Sequence, residues 1–334
     1  MKSKQLGNTD VFITELAFGA WAIGGWQWGG SDSREALRAM EASIDNGMTS
    51  IDTAPIYGFG LSEEIAGKAA KGKRSNVQIL TKCGMNWQEK KGEFFFKSRD
   101  NSGNSIDIHK YSGRESILLE CENSLRRLKT DYIDLYQVHW PDNTTPVHET
   151  MEALALLLKQ GKIRSAGVSN YSCEWMDEAL KTFPIVTNQI AYSMVNRDAE
   201  KDIIPFSIEH SIGIIAYSPL QRGLLAGKIK KDHVFREGDT RPFTMYYREP
   251  NFSRILDLTE KLGDIANRDG LSLSQLVLIW TTRQPGITCT LTGARNENQV
   301  LENIKAAESD PGDDTINEIN SLLSGLKIEK LSDV

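Results

Sequence analysis

The chain has 334 residues, of which 40% are hydrophobic and 25% charged, and its mean hydropathy is −0.38. Such values belong to a soluble globular protein and exclude a disordered or membrane-embedded one. Lys and Arg number 39 against 45 Asp and Glu, a formal charge of −6. Without a long basic run, that balance argues against a nucleic-acid partner and leaves only local cations to hold an anionic ligand.

No window approaches the roughly 18 apolar residues that a membrane span needs. The opening Met1-Lys2-Ser3-Lys4-Gln5 has no apolar stretch behind it, as a signal peptide would. Cys83, Cys121, Cys173 and Cys289 form no Cys-x-x-Cys pair, and the five histidines form no His-x-x-x-His pair. The expectation is a cytoplasmic protein with reduced thiols and no metal site.

In chain order, a Gly7-Asn8 turn between Lys4–Leu6 and Val11–Ile13 predicts a hairpin that closes the bottom of the fold. Short apolar runs then alternate with amphipathic segments. Leu16–Gly19 precedes a helix over 33–46, Thr49–Asp52 one over 62–71, and Val77–Lys82 one beginning near Arg114. Tyr132–Val138 precedes a helix over 147–160, Ile163–Val168 one over 172–182, and Ile185–Ile190 one over 198–210. Gly213–Tyr217 is followed by helices over 253–268 and 272–283, then by Thr288–Leu291. Eight strand–helix units close a (β/α)8 TIM barrel, read as a single domain over 1–334. A dinucleotide-binding doubly wound sheet would carry Gly-x-Gly-x-x-Gly after its first strand; Gly19-Ala20-Trp21 stands there instead. Gly67–Arg74 nearly spells a phosphate-binding loop, but it ends in Arg where Ser or Thr is needed and precedes a strand. It reads as a helix end.

Two connections, 84–112 and 218–252, are long enough to be functional, and in a barrel both emerge at the C-terminal face. The first holds Trp87 and Phe94–Phe96, the second Lys228, Arg236 and Arg241. One suits an apolar or sugar-like partner, the other phosphate.

Polar residues recur at the strand ends: Asp52 with Tyr57 five residues on, Lys82, His139, Ser169-Asn170, Gln189 and Tyr217-Ser218. Tyrosine, Lys, Asp and His together can move a proton. An ammonium beside a phenol lowers the phenol's pKa from its usual ~10, Asp52 orients that ammonium, and His139 donates a hydrogen bond to a carbonyl oxygen. Each residue alone has a plainer reading: an ion pair, a loop anchor, a satisfied core histidine. Their joint placement at strand ends favours chemistry.

Those residues also carry a resemblance. Asp52-Thr53-Ala54 with Tyr57-Gly58 and Ser62-Glu63, Leu125–Leu128 through Asp131–Tyr136 and His139, and Gly161–Arg164 into Gly167–Asn170 resemble the aldo-keto reductases nearly end to end. Trp21–Gly25, Trp28–Gly30 and Gln137–Asp142 look closest to the bacterial general stress protein 69 type. The resemblance implies an NADP(H)-dependent oxidoreductase reducing an aldehyde or ketone. Tyr57 becomes the general acid, Lys82 and Asp52 its tuners, and His139 the substrate orienter. It assigns Ser169, Asn170 and Gln189 to the nicotinamide carboxamide and Tyr217 to the face of the nicotinamide ring. Ser218, Leu220, Gln221, Gly223, Lys228 and Arg241 go to the pyrophosphate, with Ala20 and Trp21 also beside the cofactor. At the adenosine end stand Gly293, Arg295, Gln299, Glu302 and Asn303, with Arg295 on the 2′-phosphate. Without the resemblance that last stretch reads as a surface helix cap. Trp26, Trp28, Trp87 and Trp140 are the aromatic candidates for a small carbonyl or sugar-like substrate. The same residues also serve a sugar or polyol dehydrogenase working oxidatively, or a cofactor-sensing subunit like the reductase-shaped β subunits of potassium channels.

Overall fold

The computed structural model describes residues 1–24, 32–235 and 239–332. Trp26, Trp28 and Arg236 therefore lie outside the described residues. Eight parallel strands close a barrel in the order β3 (Leu16–Gly19), β4 (Ser50–Asp52), β5 (Gln78–Cys83), β9 (Leu135–Val138), β10 (Ala166–Ser169), β11 (Thr187–Ala191), β12 (Gly213–Tyr217) and β13 (Ile287–Thr292), which pairs back to β3. Helices α1 (Ser33–Asp45), α2 (Leu61–Ala69), α3 (Arg114–Leu128), α4 (Val147–Lys159), α5 (Cys173–Leu180), α6 (Ile203–Glu209), α7 (Asn251–Arg268), α8 (Leu273–Arg283), α9 (Glu297–Glu308) and α10 (Gly312–Ser324) follow the strands.

The strands alternate between two apolar environments, as a strand's period of two requires. Phe18, Ile51, Ile79, Tyr136 and Val168 pack outward against helices. Ala17, Leu80, Leu135, Ile215, Cys289 and Leu291 fill the lumen. The hairpin β1 (Ser3–Gln5) and β2 (Phe12–Thr14) pairs antiparallel, and its Leu6, Val11 and Ile13 join the lumen cluster. It plugs the end where the strands begin, and the polar residues gather at the other end.

Three features differ from the sequence reading. Residues 84–112 are not an open loop. They form a small antiparallel sheet of β6 (Met85–Asn86), β7 (Glu93–Arg99) and β8 (Ser105–Lys110), in the order β6-β8-β7. The helix expected over 198–210 is a 3₁₀ turn at Asp198–Glu200 followed by α6. The C-terminal α10 was not foreseen, although its Ile319 and Leu323 pack into a cluster with Leu262, Leu276 and Trp280.

Candidate active site

Asp52 ends β4 and Lys82 lies one residue from the end of β5, on neighbouring parallel strands. Lys82 Nζ meets Asp52 Oδ1 at 2.7 Å and donates to the Thr53 carbonyl at 2.9 Å. Gln189 Nε2 donates to the other carboxylate oxygen at 2.7 Å. Both carboxylate oxygens are thus occupied, which makes two buried charges tolerable. Lys82 and Asp52 are 0% and 1% exposed, whereas Tyr57 and His139 keep 9% and 8%. The ion pair is the floor, and the phenol and imidazole stand at the mouth. Lys82 Nζ is 5.0 Å from the Tyr57 ring centroid, and the Tyr57 and His139 rings meet edge to face at 5.9 Å.

Backbone packing fixes the Tyr57 turn. A Cβ on Gly24 would lie 2.5 Å from the Tyr57 carbonyl carbon, and one on Gly58, whose φ is +68°, would lie 2.5 Å from the Gly24 oxygen. Only glycine permits this approach. Asn101, in the tip between β7 and β8, donates to the Gly58 carbonyl at 2.9 Å, so the inserted sheet also pins the turn.

The electrostatics differ from the sequence reading. Burial, then the Asp52 carboxylate, pushes the Tyr57 phenol well above its ordinary value. The Lys82 ammonium is held by Asp52 and the Thr53 carbonyl. Burial lowers Lys82 itself, and Asp52 opposes that shift. Burial, then the Lys82 charge, holds His139 well below 6.5, so its imidazole is neutral near pH 7. The arrangement presents a protonated phenol and a neutral imidazole over a held ammonium.

Next to this group runs a hydrogen-bonded chain. Tyr217 OH donates to Asn170 Oδ1 (2.9 Å), and Asn170 Nδ2 donates to the His139 carbonyl (3.1 Å) and to Ser169 Oγ (3.0 Å). Ser169 Oγ donates to the Gln189 carbonyl (2.8 Å). Ala20 donates its N–H to the Asp52 carbonyl at 2.9 Å. The strand order places the ends of β10, β11, β12, β13 and β3 on one continuous arc, which brings the remaining candidates to the same rim.

After β12 the backbone takes positive φ at Ser218 (57°), Gln221 (45°), Arg222 (54°) and Gly223 (95°). Such strain in non-glycine residues gathers at functional sites. Leu220 packs between the two main clusters, and Gln221 accepts from Ser193 Oγ at 3.1 Å. Arg241 reaches this turn, but its guanidinium is paired with Asp239 at 2.6 Å. Lys228 is exposed, and no hydrogen bond or ion pair ties it to this turn among the described residues. Sequence reasoning passed over Arg222, whose guanidinium carbon is 5.7 Å from the Trp21 ring centroid. A cation inside a glycine-rich turn was the available signal.

Gly293 and Arg295 lead from β13 into α9. Asn296 caps that helix, accepting from the Gln299 N–H at 3.0 Å, and the Gln299 side chain accepts from the Arg295 N–H at 2.8 Å. Arg295 and Gln299 are exposed, and Asn303 is buried with its amide on the Gly293 carbonyl. Glu302 is engaged by Gln275 and Lys305, which fits the plainer reading of a surface helix. Trp87 packs on Phe59 (5.4 Å) and Trp140 on Phe95 (5.3 Å), around a cluster of Tyr57, Met85 and Ile108. Phe95 comes from the Phe94–Phe96 run already singled out in the sequence, whereas Phe59 is a part of this wall that only the fold reveals.

Comparison with known proteins shows the family of the chain. Residues 15–324 match the sequence model described as the Aldo/keto reductase family. Aldo-keto reductase YhdN of Bacillus subtilis (strain 168) is 38% identical over 303 residues, covering 90% of this chain and 87% of that protein. The NADH-specific methylglyoxal reductase of Escherichia coli (strain K12) is 35% identical over 312 residues, 92% of this chain and 93% of the relative. Among solved structures, the glycerol dehydrogenase AKR11B4 from Gluconobacter oxydans superposes with a TM-score of 0.88 at 34% identity, covering 99% of this chain and 97% of that one.

Proposed function

We propose, for a chain that belongs to the aldo/keto reductase family, that it reduces an aldehyde or ketone to an alcohol with NADPH. The observation that carries the reading is the buried Lys82–Asp52 pair beneath a protonated Tyr57 and a neutral His139.

The residues present fit a dinucleotide. The amide and hydroxyl row of Ser169, Asn170 and Gln189 suits a carboxamide, and Tyr217 offers a ring face. The strained turn at Ser218–Gly223 with Arg222 and Arg241 suits a pyrophosphate, and Arg295 at the start of α9 a 2′-phosphate. When bound, the reduced nicotinamide supplies hydride to the carbonyl carbon. His139 donates an uncharged N–H to the carbonyl oxygen and orients it. Tyr57 gives its proton to that oxygen as negative charge builds there. The Lys82 ammonium then faces the phenolate left behind, and Asp52 with Gln189 holds that ammonium in place. A phenol that starts protonated can supply the proton that reduction requires. The E. coli relative named for NADH makes the choice between the two nicotinamide cofactors a matter for measurement. The four unpaired cysteines suit a reducing cytoplasm, and among the described residues no helix is long and apolar enough to cross a membrane.

The test is turnover of an aldehyde and ketone panel with NADPH and NADH, and of glycerol and other polyols with the oxidised cofactors. Tyr57→Phe keeps the ring and should lower kcat by roughly 10²–10⁴-fold while cofactor Kd stays within about twofold. Near-normal turnover in that variant removes Tyr57 as the acid, and a wild type inert toward every carbonyl removes the reading itself.

A further inference from the structure

Outside the site lies an ion pair with a fully buried carboxylate and no part in the chemistry described above. Glu63, in the first turn of α2, is 0% exposed. One carboxylate oxygen accepts from Arg127 Nε at 2.6 Å, and the other accepts from Thr81 Oγ1 at 2.6 Å. Thr81 precedes Lys82 on β5, so its side chain points to the opposite face of the strand. Glu63 thus grips the outer face of the strand whose inner face presents the ammonium.

Arg127, on α3, completes the arrangement at its other end. Its stem rests on Gly60, where φ is +100° and a Cβ would lie 2.6 Å from Arg127 Cδ. Gly60 is three residues past Tyr57 and closes the same turn: its N–H donates to the Pro55 carbonyl at 2.7 Å, and the Ser62 N–H donates to the Tyr57 carbonyl at 3.2 Å. Ser62 Oγ in turn meets Thr53 Oγ1 at 2.8 Å, and the Thr53 carbonyl accepts from Lys82. One ion pair therefore touches both the strand that carries Lys82 and the turn that carries Tyr57.

We propose that Glu63 and Arg127 are positioning residues: a brace behind the barrel wall that sets the placement of Lys82 relative to Tyr57. The proposal rests on the reductase reading of the site. A structural ion pair alone would need only to join α2 to α3, whereas this one also holds Thr81 and abuts Gly60. The charged and titratable groups facing Lys82 are Asp52, Tyr57, His139 and, through the wall, Glu63. Glu63 is itself faced by Arg127, by Glu120 and Cys121 nearer the start of α3, and by Tyr136 of β9. The Glu63 carboxylate favours the protonated Lys82, in addition to the larger effect of Asp52.

The test measures kcat, KM and NADPH Kd for Glu63→Gln, Thr81→Val, Arg127→Met and Arg127→Lys from neutral to alkaline pH. In Glu63→Gln the alkaline loss of kcat should move to lower pH, because a negative charge that favours protonated Lys82 is gone. Its kcat should fall roughly 10- to 100-fold, as a small displacement of the proton donor's partner would cause, with carbonyl KM and NADPH Kd within about twofold. Thr81→Val should lose kcat by several-fold through the same route, and Arg127→Lys should recover most of what Arg127→Met loses. If Glu63→Gln does not fold, Thr81→Val and the two Arg127 variants decide. Folded variants with wild-type kcat and an unmoved alkaline limb overturn the brace. So does a loss that is equal at every pH and accompanied by weakened NADPH binding, since that marks a merely structural pair. A wild type without carbonyl turnover would instead remove the reductase reading, so the two failures are distinct.

Discussion

Lys82 is the residue on which the site's charge depends. It is completely buried yet holds a proton against Asp52, and burial lowers its pKa from 10.5. Activity in the wild type should therefore fail at alkaline pH as this ammonium is lost. Lys82→Met removes the titrating group, so the expected result is kcat lower by at least about 10²-fold and an alkaline limb that disappears from the pH profile. Asp52 then keeps only Gln189, and breaking the buried pair should cost about 3–5 kcal/mol in a urea titration. Arg295 is the residue we propose for cofactor choice. A guanidinium on a 2′-phosphate makes a charge-assisted contact of about 1.5–3 kcal/mol, or roughly a 10- to 150-fold preference for NADPH. Arg295→Gln should remove most of that preference and leave the Kd of NADH nearly unchanged. Equal losses for both cofactors would show that Arg295 does not read the phosphate.

At the scale of elements, β5 is anchored beyond Lys82 by a second carboxylate. Glu120 of α3 accepts from the Gly84 N–H at 2.9 Å and from Ser116 Oγ at 3.0 Å, just where the chain leaves the barrel for the inserted sheet. Burial outweighs these hydrogen bonds and raises its pKa from 4.5 to about 7. A carboxyl that holds its proton more tightly when folded favours the folded state below its unfolded pKa. That advantage is lost as pH rises through the folded value. Wild-type stability relative to Glu120→Gln should therefore fall by something on the order of 3 kcal/mol between about pH 4.5 and pH 7 and be flat above. Denaturant midpoints of the two proteins, compared at each pH, check this. The inserted sheet was itself legible in part. Ser105–Lys110 alternates as a strand should, and Asp100–Asn104 has turn composition. The sequence reading assigns no pairing within this connection, yet β7 and β8 pair as a local hairpin across the 100–104 turn.

For the whole molecule, the barrel separates stability from function between its two ends. The hairpin end is apolar and closed, with Leu6 and Ile13 at 0% exposure. Leu6→Ala should cost about 2–5 kcal/mol by the loss of buried methyl groups and the cavity left behind, yet leave kcat close to that of wild type at a temperature where both are folded. A matching fall in kcat would show that the two ends are coupled through the lumen. The polar end tolerates no such apolar closure, because it must admit a ligand.

The period of the apolar runs and the count of strand–helix units determined the barrel, since each strand's neighbours in space are its neighbours along the chain. The types of residue at the strand ends likewise pointed to Asp52, Tyr57, Lys82 and His139, because a parallel barrel delivers every strand end to one rim. What only the tertiary structure decided were the quantities that depend on through-space neighbours. Burial first, and the Asp52 carboxylate second, raise the Tyr57 phenol where the sequence reading expects it lowered. Asp239 pairs with Arg241, Arg222 lies by Trp21, and Glu63 grips the back of β5. Charge and desolvation act over ångströms between segments distant in sequence, so residue types can name the participants while only their packing sets the sign.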